Sequence, residues 1–275
     1  MALVPIRPED KEKSYYKYYA AGIEPMPAED AALCETCLKD YLPGLSLNNR
    51  LLLQETESYP PVQGVYPLEE GGYVVASNIP CPDITGEMMA WWMNWHVLDP
   101  FRYCCWDPED HYGATTDEIG RTRALDPSIP VFEKAWYSTQ TVQEAMAPDT
   151  PPDTIVMRIQ NPADVGFDPA KLGTPACQFL QVGKLSQTLP DGKELPLFVT
   201  LTVSQNAEGV NEVRERFWLG YDVTKDGKVV CALPAGVRIP PMEEMTKGIF
   251  AHTKKEYRNL NKILPSLYAE EKDNW

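Results

Sequence analysis

The sequence lacks the long apolar runs and the basic excess on which several classes of protein depend. No stretch approaches 18 uncharged apolar residues, and the first 22 residues contain no apolar run typical of a signal peptide. The 275 residues carry a formal net charge of −15, which disfavours nucleic acid and anionic membranes as partners. The sequence therefore predicts a cytoplasmic protein without a membrane span and leaves a small neutral substrate open.

The sequence contains cysteine and histidine, but few of these residues have the short spacings that are typical of metal ligands. Seven cysteines, an odd number, predict reduced thiols. Cys34 and Cys37 form a CxxC, but a four-thiolate zinc site needs a second well-spaced pair, and the sequence has none. Helix packing is the simpler interpretation of this CxxC, and a structural zinc or redox site is the alternative. Histidine occurs three times, as His96, His111 and His252.

The order of the predicted elements favours an α+β fold. Residues 1–70 form a small N-terminal segment of helices and loops that packs on the main body or forms a dimer contact, and the Pro- and Gly-rich stretch 57–72 marks its boundary. Residues 71–275 form the main domain. Its predicted strands cover 72–79, 153–159, 177–182, 195–204, 211–223 and 227–233, and its helices cover 82–98 and 242–264, the last one ending at Pro265. Antiparallel strands followed by a long amphipathic helix predict a sheet that curls around that helix and leaves a cavity.

The last helix places two polar residues on the stripe that it buries. His252 and Glu256 in the stretch AHTKKEY lie one turn apart. The same stripe carries the apolar residues Met245, Ile249, Leu260 and Ile263. A buried imidazole and carboxylate need partners. They form either a polar network in the cavity or half of a metal site, since a histidine and a ligand four residues later can reach one ion.

A second cluster of candidate residues is the aromatic segment WWMNWHVLDPFRYCCWDPEDHYG, residues 91–113. Its aromatic density predicts a flat apolar pocket or a dense core. Because Asp107-Pro108 interrupts regular structure, His111 should lie in a loop or at the start of a strand. His96 packs or caps its helix, with a role as ligand or base as the alternative. Glu144, in the later stretch TVQEAM, shares a strand face with Val142 or is a surface charge.

Five separated motifs give the sequence a family resemblance. WWMNWH, RYCCWDPEDHY, VQE, RERFWLGY and HTKKE, in this order over about 70–270, resemble the 2,4-diacetylphloroglucinol hydrolase family, which includes phloretin hydrolase. The resemblance implies a START-like helix-grip fold with a zinc ion held in the cavity by two histidines and two glutamates. Carried onto this sequence, the zinc ligands are His111, Glu144, His252 and Glu256, with Glu133 as the rival of Glu144 because loop lengths differ.

The resemblance also assigns substrate contacts. The family has a substrate-binding tyrosine eight residues before the first ligand, which is Tyr103 here. One departure is Ala114, where the family has an asparagine three residues after that histidine, so another donor makes this contact or the substrate is oriented differently. The remaining predicted roles are flat apolar walls for Trp91, Trp92 and Met93, substrate binding for Arg214, and catalysis for Tyr103, His96 and Tyr221.

The implied activity is hydrolysis of the carbon–carbon bond between the ring and the acyl group of C-acylated phloroglucinols. Protonating the ring carbon gives a keto form, so the leaving group becomes a stabilised enolate while water attacks the acyl carbonyl. Zinc would supply hydroxide at neutral pH or polarise the carbonyl. Length, acidity and cysteine content favour the phloretin hydrolase branch, which converts the dihydrochalcone phloretin to phloretate and phloroglucinol. The alternatives are a hydrolase of diacetylphloroglucinol and a helix-grip carrier of aromatic ligands without catalysis.

Overall fold

The computed structural model describes residues 2–55, 62–146, 150–188, 192, 194–233 and 240–275. Its α-helices are α1 Tyr16–Ala20, α2 Ala28–Glu35, α3 Gly86–Trp95, α4 Pro100–Cys104, α5 Glu118–Leu125 and α6 Pro240–Glu271. Its strands are β1 Gly64–Pro67, β2 Tyr73–Pro80, β3 His111–Thr116, β4 Thr139–Glu144, β5 Asp153–Gln160, β6 Phe179–Thr188, β7 Glu194–Gln205, β8 Asn211–Leu219, β9 Tyr221–Val223 and β10 Val229–Cys231. No helix among these residues is both long enough and apolar enough to cross a membrane.

One large antiparallel sheet dominates the described part of the chain. Eight strands follow the order β1-β2-β8-β7-β6-β5-β4-β3, and β9 pairs with β10 in a separate hairpin. The sheet is curved but does not close into a barrel. The predicted α+β class, with a curved sheet and a long C-terminal helix, is therefore confirmed. The predicted strands 72–79, 153–159 and 195–204 agree closely with β2, β5 and β7.

Helix α6 packs against β1, β2 and α3 and buries the predicted stripe. Ile249, Leu260 and Ile263 are buried, and His252 and Glu256 lie among them with 8% and 6% of their surface exposed. The 3.6-residue period of a helix makes this stripe visible in the sequence without any knowledge of the sheet.

The prediction that the last helix ends at Pro265 is wrong. The helix continues through this residue to Glu271. A proline inside a helix removes one backbone hydrogen bond and crowds the preceding turn. Leu264 and Leu267 on either side of it are fully buried, and Lys17 and Tyr18 both contact Glu270 at 2.6 and 3.0 Å. Packing of the turn beyond the proline therefore outweighs the loss of one hydrogen bond.

The face of the sheet that points away from α6 is covered by residues 42–54 and their neighbours. The indole nitrogen of Trp218 donates to the Leu45 carbonyl at 2.8 Å, and the Arg50 guanidinium donates to the Val165 carbonyl at 2.8 Å. The Pro- and Gly-rich stretch 57–72, predicted as a boundary, contains β1, which pairs with β2. The division of the chain at residue 70 and the dimer contact stay predictions.

The start of α3 packs closely against residue 178, and this contact requires the glycine at position 86. Thr85 caps this helix by accepting the Met88 N–H at 3.2 Å, and the next residue, Gly86, lies against residue 178. A Cβ at Gly86 would stand 2.6 Å from the Gln178 carbonyl oxygen, which is backbone and cannot move cheaply. We expect Gly86→Ala to lower the free energy of unfolding by about 1–3 kcal/mol, measured by chemical denaturation.

The matched control for this substitution is Gly44→Ala. A Cβ at Gly44 meets no atom within 4 Å, and the residue does not have a positive φ. We expect it to change the free energy of unfolding by no more than about 0.5 kcal/mol. Equal unfolding midpoints for the two variants would contradict the close contact between α3 and residue 178.

Candidate metal centre

A cavity of about 640 Å³ lies between the curved sheet and α6. Its walls are mostly apolar and come from β4 to β8 and from α6, with Val142, Met157, Leu197 and Ile249 among them. The lining also includes polar side chains, among them those of Tyr103, Glu144, His252 and Glu256. The cavity predicted from the order of the elements is therefore present, and these polar residues form the candidate site.

Strands β3 and β4 supply the first two residues of that site. The peptide N–H of His111 donates to the Asp107 carbonyl at 2.9 Å, and His111 is the first residue of β3, as predicted from Asp107-Pro108. His111 pairs directly with Glu144, the last residue of β4, and a bulge follows before Gly113. The His111 Nε2 and Glu144 Oε2 atoms are 3.7 Å apart. The rival residue Glu133 lies in a short 3₁₀ turn and does not line the cavity.

Helix α6 supplies the other two residues. His252 Nε2 lies 3.0 Å from His111 Nε2, and Glu256 Oε2 lies 3.6 Å from the same atom. The distance between His252 Nε2 and Glu256 Oε2 is 4.0 Å. The four predicted ligands, from three distant parts of the sequence, therefore meet around His111 Nε2.

The spacing of His111, His252 and Glu256 fits a tetrahedral metal ion. Nitrogen and oxygen ligands at the usual zinc distance of about 2.1 Å stand roughly 3.4 Å apart around a tetrahedral ion. The three separations among these residues run from 3.0 to 4.0 Å, and Glu144 Oε2 stands 3.7 Å from His111 Nε2. His111 Nδ1 lies 3.3 Å from the Tyr103 carbonyl, which can only accept, so Nδ1 carries the hydrogen and Nε2 presents a lone pair.

The electrostatics of the cluster also favour a cation. Burial lowers the pKa of His111 well below its usual value, which keeps the imidazole neutral and able to bind a metal. Burial, together with the charges of Glu215 and Glu144, raises the pKa of Glu256 well above its usual value. Ionised glutamates at this depth need a positive partner, and these four residues could hold a divalent ion.

A second group of acidic residues lies beside His252. Ligand atoms of Asp107, Asp110 and His252 also fall within 4.8 Å of one another. The ammonium of Lys255 stands 3.1 Å from Asp107 and 2.6 Å from Asp110, so the charge of this group is already balanced by a lysine. The cluster around His111 is therefore the better candidate for a metal site.

Two further predicted residues, Tyr103 and His96, lie on the cavity wall next to the cluster. The Tyr103 hydroxyl donates to the Glu144 carboxylate, and its ring stacks on His111 with centroids 3.8 Å apart. Burial, followed by the charges of Glu144 and Glu256, raises the pKa of Tyr103 well above 10, so the phenol stays protonated.

The imidazole of His96 is neutral and leaves one nitrogen available. Its Nδ1 lies 2.7 Å from the Trp92 carbonyl and must donate to it, which leaves Nε2 as an acceptor. Burial lowers the pKa of His96 to about 4. The ring stacks on Tyr103 at 5.4 Å. His96 therefore packs against its helix, as predicted, and also lines the cavity.

Four of the predicted substrate or catalytic residues are not brought to the cavity. Trp91 and Trp92 belong to the buried aromatic core, and only Met93 of the three predicted wall residues lines the cavity. Arg214 contacts Glu212 on the opposite face of β8, and the Tyr221 hydroxyl donates to the Gly71 carbonyl at 2.7 Å. Because side chains alternate along a strand, the face that carries Arg214 cannot also face α6.

The prediction from the sequence missed Glu215 on the cavity face of β8. Its two carboxyl oxygens accept hydrogen bonds from the Thr253 hydroxyl and the Tyr257 hydroxyl, each at 3.1 Å. Burial is the main cause that raises its pKa, to about 8. Because side chains alternate between the two faces of a strand, the stretch RERFW places Glu215 on one face and Arg214 and Arg216 on the other. Which of these faces points to the cavity depends on sheet pairing, which the sequence does not show.

Comparisons with known proteins agree with the motif resemblance. The family model described as "DAPG hydrolase PhiG domain" matches residues 43–269. Phloretin hydrolase from Eubacterium ramulus is 34% identical over 282 residues, covering 99% of this chain and 95% of that protein. Both matches begin before residue 70, so the similarity reaches further towards the N-terminus than the motifs indicate. A solved structure of a protein of unknown function from Staphylococcus aureus is 7% identical, covers 74% of this chain and 97% of its own, and has a TM-score of 0.31, too low to support any argument. The chain belongs to the DAPG hydrolase family.

Proposed function

We propose that this protein is a zinc-dependent hydrolase that cleaves phloretin to phloretate and phloroglucinol. The observation that carries the proposal is the meeting of His111, Glu144, His252 and Glu256 in the cavity of a chain that matches phloretin hydrolase over 99% of its length. Diacetylphloroglucinol is the second candidate substrate, because the matching family model is named for its hydrolase.

Zinc suits the donors of this site better than the other common divalent ions. Two imidazole nitrogens and two carboxylate oxygens form a mixed set, whereas magnesium and calcium prefer oxygen alone. Two carboxylates balance the charge of the ion, which gives a net neutral centre in an apolar cavity. When bound, zinc would supply Lewis acidity and lower the pKa of water at the polar end of the cavity.

The protein's own groups would orient the phenolic ring. Tyr103 stays protonated and offers a hydroxyl beside Glu144, whereas His96 offers an unprotonated Nε2. Because the hydroxyl hydrogen of Tyr103 is donated to Glu144, its oxygen can accept, so one wall of the cavity presents two acceptors to the hydroxyl groups of a phloroglucinol ring. Because the polar cluster is buried, the ring would displace bulk water from it.

The size and chemistry of the cavity favour the larger acyl group. A volume of about 640 Å³ lies within the usual range of small-molecule sites, about 300–1,000 Å³. Beyond the polar cluster the lining includes the flexible thioethers of Met146, Met157 and Met245, which adapt well to an aromatic ring. The hydroxyphenylpropanoyl group of phloretin would fill this apolar part, whereas an acetyl group would leave most of it empty.

The test is to incubate zinc-loaded protein separately with phloretin and with diacetylphloroglucinol. We expect phloretate and phloroglucinol to appear from phloretin in equal amounts, and about one zinc per chain by elemental analysis. Faster release of monoacetylphloroglucinol from diacetylphloroglucinol would favour the second candidate. Tight phloretin binding without products, in protein that contains no zinc, would favour the carrier.

A further inference from the structure

The carboxyl group of Glu215 is not one of the four predicted ligands, yet it lines the same cavity. It reaches the cavity from β8, whereas His252 and Glu256 reach it from α6. Only 7% of Glu215 is exposed. Its oxygens are held by Thr253 and Tyr257, which are the neighbours of the two α6 ligands in sequence. The carboxyl is therefore fixed in position beside the site.

The two hydrogen-bond partners of the Glu215 carboxyl are neutral hydroxyl groups, those of Thr253 and Tyr257, and the charge of Arg216 lowers its pKa less than burial raises it. Arg216, one of the two arginines beside Glu215 in sequence, points to the other face of β8. Its guanidinium donates to the carbonyls of Ser77 and Glu215, both at 2.7 Å, and to the Asn78 side chain. Two glutamates already balance a divalent ion, so a third buried carboxyl favours its neutral, protonated form.

We propose that Glu215 is the catalytic acid that protonates the ring carbon when the acyl group leaves. The inference rests on the proposed function and names the proton donor that this reaction requires. A buried, protonated carboxyl is suited to this step, because the ring carbon is a weak base and needs a positioned donor.

The proposed step is balanced. The bond between the ring carbon and the acyl carbon breaks, its electron pair stays on the ring, and the ring carbon takes the proton of Glu215. Water adds its oxygen and one hydrogen to the acyl carbon, and its other proton returns to Glu215. The sum is substrate plus water giving phloroglucinol and a carboxylic acid.

The hydroxyl groups of Thr253 and Tyr257, which donate to Glu215, stabilise its carboxylate form between these proton transfers. After giving up its proton, Glu215 is a buried anion that accepts one hydrogen bond from Thr253 and one from Tyr257. Hydrogen bonds to a charged acceptor are about twice as strong as neutral ones. The anion is therefore stabilised by these hydrogen bonds until water returns the proton.

The decisive variant is Glu215→Gln in the full-length, zinc-loaded protein. An amide keeps the size and hydrogen-bonding capacity of the side chain but has no acidic proton. We expect kcat for phloretin to fall by about 100-fold or more, with KM and zinc content close to those of the wild type. Glu215→Asp keeps an acidic proton and is expected to retain more activity than Glu215→Gln.

A second experiment measures proton transfer to the ring carbon directly, as hydrogen exchange. The wild type is expected to accelerate exchange of the ring hydrogens of phloroglucinol in D₂O above the uncatalysed rate, and Glu215→Gln is expected to lose this acceleration. The matched control is Glu212→Gln, which removes a buried carboxylate from the opposite face of the same strand and should keep both activities.

The outcomes separate this inference from the proposed function. Glu215→Gln with near wild-type kcat and exchange would overturn the proton-donor role, and so would loss of zinc in both Glu215 variants, which would make the residue part of the metal support. A wild type that cleaves no acylphloroglucinol but accelerates ring exchange, with the acceleration lost in Glu215→Gln, would refute the proposed substrate and still support Glu215 as the acid.

Discussion

His252→Ala and Glu256→Ala are each expected to abolish zinc binding and to lower phloretin cleavage by more than about 100-fold. Each change removes one of four ligand side chains that converge within 4.0 Å of one another or of His111 Nε2. With three ligands left in a buried site, the affinity for the ion falls. Elemental analysis of the purified variants and single-turnover assays measure the two effects.

Lys262→Ala is the control on the same helix. Its side chain is 57% exposed and contacts Glu24 at the surface, so zinc content and activity should stay within about twofold of the wild type. Full activity in a variant of His252 or Glu256 that contains no zinc would refute the metal site.

Thiol reagents test the alternative zinc site at the CxxC. Cys37 is buried and Cys34 half-buried, and burial raises the pKa of both thiols. If zinc binds the His/Glu cluster, blocking the thiols in native protein leaves the metal in place. Release of zinc in proportion to thiol modification would instead favour the structural zinc interpretation.

The sequence was most informative where the signal is local. Helical periodicity is contained within one segment, so the buried face of α6 and its pair His252 and Glu256 could be predicted without the rest of the fold. The break at Asp107-Pro108 is local as well, and it places His111 correctly at the start of β3. The partnership of His111 with Glu144 came from the family motifs, because the pairing of β3 with β4 joins residues 33 positions apart.

Two predicted residues of the strands, Arg214 and Tyr221, lie away from the cavity for reasons that depend on sheet pairing. Alternation along β8 shows two faces, but only the position of α6 decides that Glu215 and not Arg214 faces the cavity. The same uncertainty made Tyr221 a catalytic candidate, although it lies beyond Gly220 in the separate hairpin of β9 and β10. Glu215 is therefore a residue that this sequence alone could not have selected.

Tyr103→Phe is expected to lower kcat for phloretin by about 10- to 100-fold while the zinc content stays at the wild-type level. The phenyl ring keeps its stacking on His111, so the side chains that bind the metal remain in place. What is lost is the hydroxyl that donates to Glu144 and that we propose orients the substrate ring. A change in kcat with intact metal therefore distinguishes a role in the reaction from a role in assembling the site.

Tyr268→Phe provides the matched control for this change. Its hydroxyl contacts Glu87 at 2.9 Å at the surface, away from the cavity, so activity should change by no more than about twofold. Loss of zinc from Tyr103→Phe would show that the hydroxyl holds Glu144 in place and would make Tyr103 structural. Unchanged kcat would contradict a role of the Tyr103 hydroxyl in orienting the ring and would leave that role to neighbouring polar groups in the cavity lining, such as His96 Nε2.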